Sequence, residues 1–554
     1  MIVGGDPALG PASLSRFVLP FAYRRSPWPS GESSSPPAVY RRLGRQELDP
    51  EVERRHYLSR ETAQVLFERA RWHQLERPDG TPVRTEFVCA HRSSGREFLV
   101  RIEPPRVVLF EWPAGREAST QDDLLATGFL VLDTTFPNRD LAPGFDDLLA
   151  FNEVFRTWRR PFAEHDEVRG YCRLLGRCPL DLVAGGPSIG DALGLGLDLY
   201  FDRWQSLLEA PLQLPEAEAA SRGPRLAALF PTEWGDRARR WREDPLADDT
   251  AGWVIYADYR AFVWTCALVH GGAHTLVGEG QDGGSPSWAD GRWIKLLNVD
   301  APAERPADTA SSTAFERDWA KERTYQRWAE HGSLYGFTYH SGAMLGPPTA
   351  EPPIDRHFRE VYFDQTLLLL YLRVSSFRFS RELTRITADL RDPRSGPRDF
   401  ERRFRALRRS FAFFTNLYEF PLVSNQEQGI ELYALAREHL DVSEFFDEIG
   451  DEVKSAHEYA EMVQNQRQAR VVLVLTLVAA VGVPVTVAAS LFGLDFLVDA
   501  VLPGQPDWWL SRAFVGVASF LVLVTWLTIR FASRWSRRME RFLLGSAHSE
   551  RGED

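Results

Sequence analysis

Charged residues are absent from Val471 to Leu494, a run of 24 residues, and again from Ala513 to Ile529, 17 residues between Arg512 and Arg530. At 1.5 Å per residue the first run makes about 36 Å of helix, enough to cross a hydrocarbon core of roughly 30 Å with some tilt. The second lies at the short end of the spanning range. Trp508, Trp509 and Trp535 lie beyond its two ends, where interfacial aromatics belong. The pattern predicts two transmembrane helices, 471–494 and 513–529, an outer loop at 495–512 and a basic tail at 530–554. Residues 1–40 hold no apolar run with a cleavage site, so the first span is expected to serve as the insertion signal.

Upstream, the polar and apolar positions alternate in short runs bounded by Pro, Gly or charges. These predict strands at Phe17–Tyr23, Glu86–His91, Glu97–Ile102, Val107–Trp112, Gly128–Thr135, Gly252–Tyr256, Ala261–Val269, Trp293–Asn298 and Tyr335–Tyr339. Helices are expected at Arg60–His73, Asp146–Arg159 and Ala314–His331. Residues 1–355 thus read as an enlarged α+β domain, closed by the Pro-rich turn Gly346–Pro353.

Residues 356–470 are helical in character. Phe358, Val361, Tyr362, Leu368, Leu369 and Leu372 recur at three- and four-residue spacing, and Arg398–Tyr418 predicts a second helix with a very basic first half. Leu367–Leu372 is too short to span a bilayer and is expected in a helical core. Ser424-Asn425-Gln426-Glu427 fits a capping box. From there a long stalk helix is expected to run unbroken into the first span. Its apolar stripe is Val442, Phe445, Phe446, Ile449, Val453, Ala456, Ala460 and Val463. Carboxylates flank the stripe, and Asp447, Glu448, Asp451 and Glu452 form a candidate regulatory cation site, with a solvated acidic face as the simpler reading.

Within the first span, Pro484 removes a backbone donor, and Gly482 and Gly493 lower helix propensity. Leu475, Ala479, Val483, Thr486 and Ser490 lie along one small, partly polar stripe. Such a stripe suits close helix packing or the lining of a pore.

Pro484-x-Thr486 followed by Leu491-Phe492-Gly493-Leu494-Asp495-Phe496 resembles the end of the pore helix in the CorA family of divalent-cation transporters. That family carries a Pro-x-Thr, a Tyr/Phe-Gly-Met-Asn-Phe signature, a short outer loop, a second span and a basic tail, in the order found here. Val474-Leu475-Thr476 resembles the start of the same helix. The likeness covers roughly residues 356–541. It implies a homopentamer in the lipid bilayer and passive transport of Mg²⁺, Co²⁺, Ni²⁺ or Zn²⁺. It also implies that Gly493, Leu494 and Asp495 form the selectivity signature, with Asp495 as the metal-facing residue. Two positions depart from the family. Gly-Met-Asn reads Gly493-Leu494-Asp495, which adds a formal charge, and the Asn ahead of the pore helix is Ala469. The enlarged N-terminal domain and altered signature also resemble, in architecture only, nucleotide-gated membrane effectors of prokaryotic (CRISPR-type) defence systems. A nucleotide messenger is therefore a second expectation for the gating ligand.

Composition narrows the picture. The balance of 65 basic and 77 acidic residues gives a net charge of −12 and argues against a general nucleic-acid binder. Arg467 and Arg470 precede the first span, and Arg530, Arg534, Arg537, Arg538 and Arg541 follow the second. The loop between them carries Asp495, Asp499 and Asp507. By the positive-inside rule this predicts a multi-pass protein of the inner (plasma) membrane with both termini cytoplasmic. The four cysteines are expected to be free thiols in a reducing compartment. Gly186-x-Ser188-x-Gly190 reads as a glycine-rich loop, His270-Gly-Gly-Ala-His274 lacks the Glu of a zinc-protease helix, and no phosphate-binding loop occurs. No catalytic constellation or organic cofactor is expected, so the protein is not read as an enzyme.

Overall fold

The computed structural model describes residues 6–156, 172–175, 260–348, 354–388 and 397–499. Excepted are positions 11 and 421 and the stretches 24–38, 51–52, 92–96, 111–125, 138–142, 281–283 and 303–312; three helical positions, Ser519, Leu523 and Trp526, are also described. The chain divides into two compact units, Met1–Asp451 and Glu452–Asp554.

The first unit is built on one sheet of twelve described strands. These are β1 (Leu14–Tyr23), β2 (Val39–Arg42), β3 (Arg71–Glu76), β4 (Thr85–His91), β5 (Glu97–Ile102), β6 (Arg106–Phe110), β7 (Ala126–Thr135), β8 (Cys172–Leu175), β9 (Phe262–Leu268), β10 (Thr324–Tyr325), β11 (Leu334–Phe337) and β12 (Ser341–Gly346). The main path is β10-β11-β12-β9-β1-β7-β5-β4-β8. It forks at β7, which pairs with β5 through Thr134 and Thr135 and with β6 through Thr127–Val131. Among the paired strands only β9 and β12 run parallel. This is an α+β arrangement. Pro20, a residue that cannot donate to a ladder, lies in β1 beyond Val18, where the pairing with β9 has already ended.

Helices cover both faces of the sheet. On one face, Phe17, Leu19, Leu130 and Leu132 share a core with Leu148, Phe151 and Phe155 of α1 (Phe145–Phe155) and with Trp293 and Leu297 of α2 (Gly291–Asn298). On the other lie a helical lead-in, Ile354–Tyr362, and α4 (Phe363–Ala388), which follows α3 (Thr313–Arg323). Trp264 of β9 stacks on Phe358 at 4.2 Å, and Phe110 of β6 stacks on Tyr371 at 4.1 Å. Next come α5 (Pro397–Tyr418), α6 (Glu427–His439) and α7 (Val442–Asp499). Tyr418 of α5 meets the Tyr371 ring edge-on at 4.7 Å, so the helical region beyond the Pro-rich turn packs on the sheet within the same unit.

Several expected elements change type. Trp293–Asn298 is helical, because Asp290 caps the segment by accepting from the Arg292 N–H at 2.8 Å. Expected helix Arg60–His73 ends at Arg69, and Arg71 onward joins the sheet as β3. Ala314–His331 stops as a helix at Arg323, and Thr324–Tyr325 pairs with β11. The uninterrupted stalk is also corrected. Ser424 turns its hydroxyl to the Tyr57 carbonyl at 2.7 Å, and α6 ends at His439. Asp441 then adopts the left-handed conformation, φ 54°, before α7 begins. Gly252–Tyr256 and Gly186–Gly190 lie outside the described residues.

Candidate ion path and the charges that brace the first unit

The backbone of α7 is helical throughout 471–494 and on through Gly493, Leu494 and Asp495. Side chains are described in part. Val471, Val472, Leu473, Val474, Leu475 and Val478 are each 50% to 63% exposed, and Ala479 is exposed. Exposure of six consecutive positions, 471–476, covers every face of a helix, unlike the one-sided exposure of a helix lying on a core. Thr476 keeps its hydroxyl on the Val472 carbonyl at 2.7 Å, which satisfies it within its own helix. The side chains of Val483, Thr486, Ser490, Leu494 and Asp495 lie outside the described residues, as does most of 513–529. Among the described residues, no helix is long and apolar enough to cross a membrane.

The acidic candidates lie on the first turns of α7. Asp447, Glu448, Asp451 and Glu452 are all exposed, on the side opposite the buried Val442, Phe446 and Ile449. No group of three or more metal-ligating side chains is assembled among the described residues. His270 and His274 are separated by Gly271 and Gly272, both at positive φ, and His274 lies against the Glu330 carbonyl at 3.4 Å. Cys89 and Cys266 are both buried, and Cys266 is a free thiol. Burial pushes the Cys266 thiol up to about 12, so it is inert near neutral pH.

What the sequence reading missed is a buried charge network between the sheet and α4. Arg16 of β1 donates to Asp133 of β7, its cross-strand partner, at 2.6 Å and 3.1 Å. Arg106 of β6 donates to the same carboxylate at 2.7 Å. Burial alone raises the Asp133 pKa; the two guanidiniums outweigh it and hold the carboxyl at about 2. Arg16 also reaches the Arg359 carbonyl at 2.9 Å and lies 3.9 Å over the Phe363 ring. Beside it, Arg54 grips Asp364, at the start of α4, through Nε at 2.8 Å and Nη2 at 2.5 Å. The Asp364 side chain is fully buried. Arg54–Asp364 fastens the 53–57 segment to α4, and Arg16 ties the lead-in and the first residue of α4 to the sheet. The available signal was a charge on an otherwise apolar strand: Arg16 between Leu14 and Phe17, and Asp133 after Val131-Leu132.

Arg373 of α4 is a buried cation whose Nη1 donates to the Tyr339 carbonyl at 2.9 Å. Burial lowers its pKa, opposed by Tyr339 and by Asp441 at the break before α7.

Comparison with known proteins gives one family. Residues 376–534 match the model of the CorA-like Mg²⁺ transporter protein family, a segment that takes in the second half of α4, all of α5–α7 and both apolar runs. No curated protein and no solved structure matches the chain.

Proposed function

We propose, from a CorA-like transporter domain over 376–534, that this protein is a membrane channel or transporter passing divalent cations down their electrochemical gradient. One observation carries the reading: the family match contains the uncharged run 471–494 together with Pro484-x-Thr486 and Phe492-Gly493-Leu494-Asp495-Phe496. The all-round exposure of the aliphatic side chains from Val471 to Leu475 supports it. In this reading 471–494 and 513–529 span the bilayer, and several copies, five as in the resemblance, surround one path. Leu475, Ala479, Val483, Thr486 and Ser490 line that path, the soluble unit sets the gate, and the cation is cargo. No step calls for bond chemistry.

Asp495 then forms a carboxylate ring at the outer mouth. Oxygen ligands suit hard divalent ions, and a hydrated Mg²⁺ is held mainly through its own waters. A charged ring concentrates cations and discriminates among them less sharply than neutral amide oxygens do. Flux of Mg²⁺, Co²⁺, Ni²⁺ and Zn²⁺ into sealed vesicles tests the reading. Asp495→Asn is expected to conduct with narrower selectivity, and Asp495→Lys to block entry with assembly intact. No flux of any cation, with or without nucleotide messengers added, would refute the channel. Unchanged flux in the Lys variant would remove Asp495 from the mouth. Opening only with a nucleotide would assign the gate to the second class of ligand.

A further inference from the structure

Arg373 of α4 is a buried guanidinium held by neutral groups. Its Nη1 donates to the Tyr339 carbonyl at 2.9 Å, and its charge lies 4.2 Å over the Tyr339 ring. Tyr339 belongs to the turn at 338–340 between β11 and β12, where the Thr338 N–H donates to the Ser341 carbonyl at 2.8 Å. The Nε of Arg373 has no hydrogen-bond partner. Among the described residues no carboxylate lies in ion-pair contact with it. A buried cation without a counter-ion is costly, so the site favours any arrangement that brings it an anion.

Asp441 is that anion. It stands exposed at the break between α6 and α7, in the left-handed conformation at φ 54°. Among the described residues its carboxylate makes no hydrogen bond or ion pair. Phe377 follows Arg373 by four residues on α4, and Phe445 follows Asp441 by four in α7; their ring centroids are 4.1 Å apart. Four residues are about one helical turn, so this contact sets the start of α7 against α4 beside Arg373. The Asp441 charge already favours the ionised form of Arg373. Phe377 is 36% exposed, so the contact lies at the surface and can shift without opening a core.

We propose that Arg373 is a two-position switch. In the arrangement seen here it holds the β11–β12 turn; when the start of α7 shifts toward it, it leaves the Tyr339 carbonyl and pairs with Asp441. The turn then loosens as the break before α7 is fastened. A charge shared between two elements is a bistable device, through which a local change at one biases the other. The inference does not need the transport reading. Under that reading the switch lies at the head of the helix that carries the path, and the turn is the part of the sheet to which it answers.

Amide hydrogen exchange of the full-length protein, read by mass spectrometry over 334–346 and 440–446, tests the switch. Asp441→Asn removes the anion and keeps a residue that tolerates the left-handed conformation. With its competitor gone, the turn should exchange about threefold more slowly, while exchange at the break rises. Arg373→Gln removes the shared group, so both segments should exchange faster, the turn by about tenfold. In that background Asp441→Asn should have no further effect on the turn. A turn unchanged or faster in Asp441→Asn alone overturns the switch and leaves Arg373 as a fixed pin on the turn. Additive effects in the double variant overturn it as well. Asp441 is exposed, so its variant decides the matter even where Arg373→Gln does not fold. Cation flux does not enter this readout, so the switch and the transport reading fail separately.

Discussion

Asp133 lies between the guanidiniums of Arg16 and Arg106, with its side chain only 17% exposed. Removing its charge leaves the buried Arg16 and the half-buried Arg106 without that counter-ion, and breaking a buried pair from one side costs about 3–5 kcal/mol. Asp133→Asn should therefore lower the unfolding free energy of the first unit by about that amount at pH 7, read from denaturant unfolding; a value equal to the parent's would mean that the network is not required for stability. The pH dependence follows from the sign of the shift. The folded carboxyl is held at about 2 against an ordinary 3.8, so its contribution is full above about pH 4. It is lost as pH falls from about 4 to 2, a change of about 2 kcal/mol. The parent should lose stability over that window and the Asn variant should not show this component. None of this was legible residue by residue. A lone Arg in a strand reads as a solvent-facing position, and only the register that sets Arg16 opposite Asp133 turns two awkward charges into a pair.

At the scale of elements, periodicity served best where one face is buried over many residues, as in α5, whose buried Phe404, Leu407, Phe414 and Tyr418, with half-buried Phe411 between them, recur at three- and four-residue spacing. It misled where a short apolar run fits both periods. Trp293, Ile294, Leu296 and Leu297 are all buried in a helix of eight residues, and the deciding feature, Asp290 ahead of Gly291, is a cap rather than a periodicity. The break between α6 and α7 escaped notice because neither Gly nor Pro marks it. Asp441 takes the left-handed conformation there, which Asp tolerates better than most residues. Its N–H donates to the Glu438 carbonyl at 3.0 Å, and its own carbonyl accepts from Phe445 at 3.4 Å. Asp441→Gly should be stabilising or neutral, whereas Asp441→Val should cost about 1–2 kcal/mol, measured as a thermal shift. Equal stability of both variants would show that the chain can run through this point as one helix. The apolar part of the proposed path belongs to α7. Rings of Leu475 and Val483 can stop ions by dewetting. Leu475→Asn and Val483→Ser should raise basal leak in vesicles without changing oligomer size. Variants as tight as the parent would place the stripe against a neighbouring helix.

At the scale of the whole molecule, the sequence marked a mixed soluble domain and two apolar runs, and the family match over 376–534 includes both runs. The sheet order was beyond reach, since the fork at β7 and the parallel pairing of β9 with β12 join segments far apart in the chain. The distribution of charge carries the last prediction. Basic residues flank the outer ends of the two runs, acidic residues fill the loop between them, and the protein holds no phosphate-binding loop to couple transport to nucleotide hydrolysis. In the proposed reading, flux is driven by the ion gradient and the membrane potential. One elementary charge crossing 100 mV gains about 2.3 kcal/mol, so a divalent cation gains about 4.6 kcal/mol, an equilibrium ratio of more than about a thousandfold. Vesicles with a potassium diffusion potential set inside-negative should accumulate the cation against its gradient, and reversing the potential should abolish net uptake. No nucleotide should be needed for the driving force. Uptake indifferent to the sign of the potential, or dependent on ATP hydrolysis, would require an energy-coupling site and exclude passive conduction.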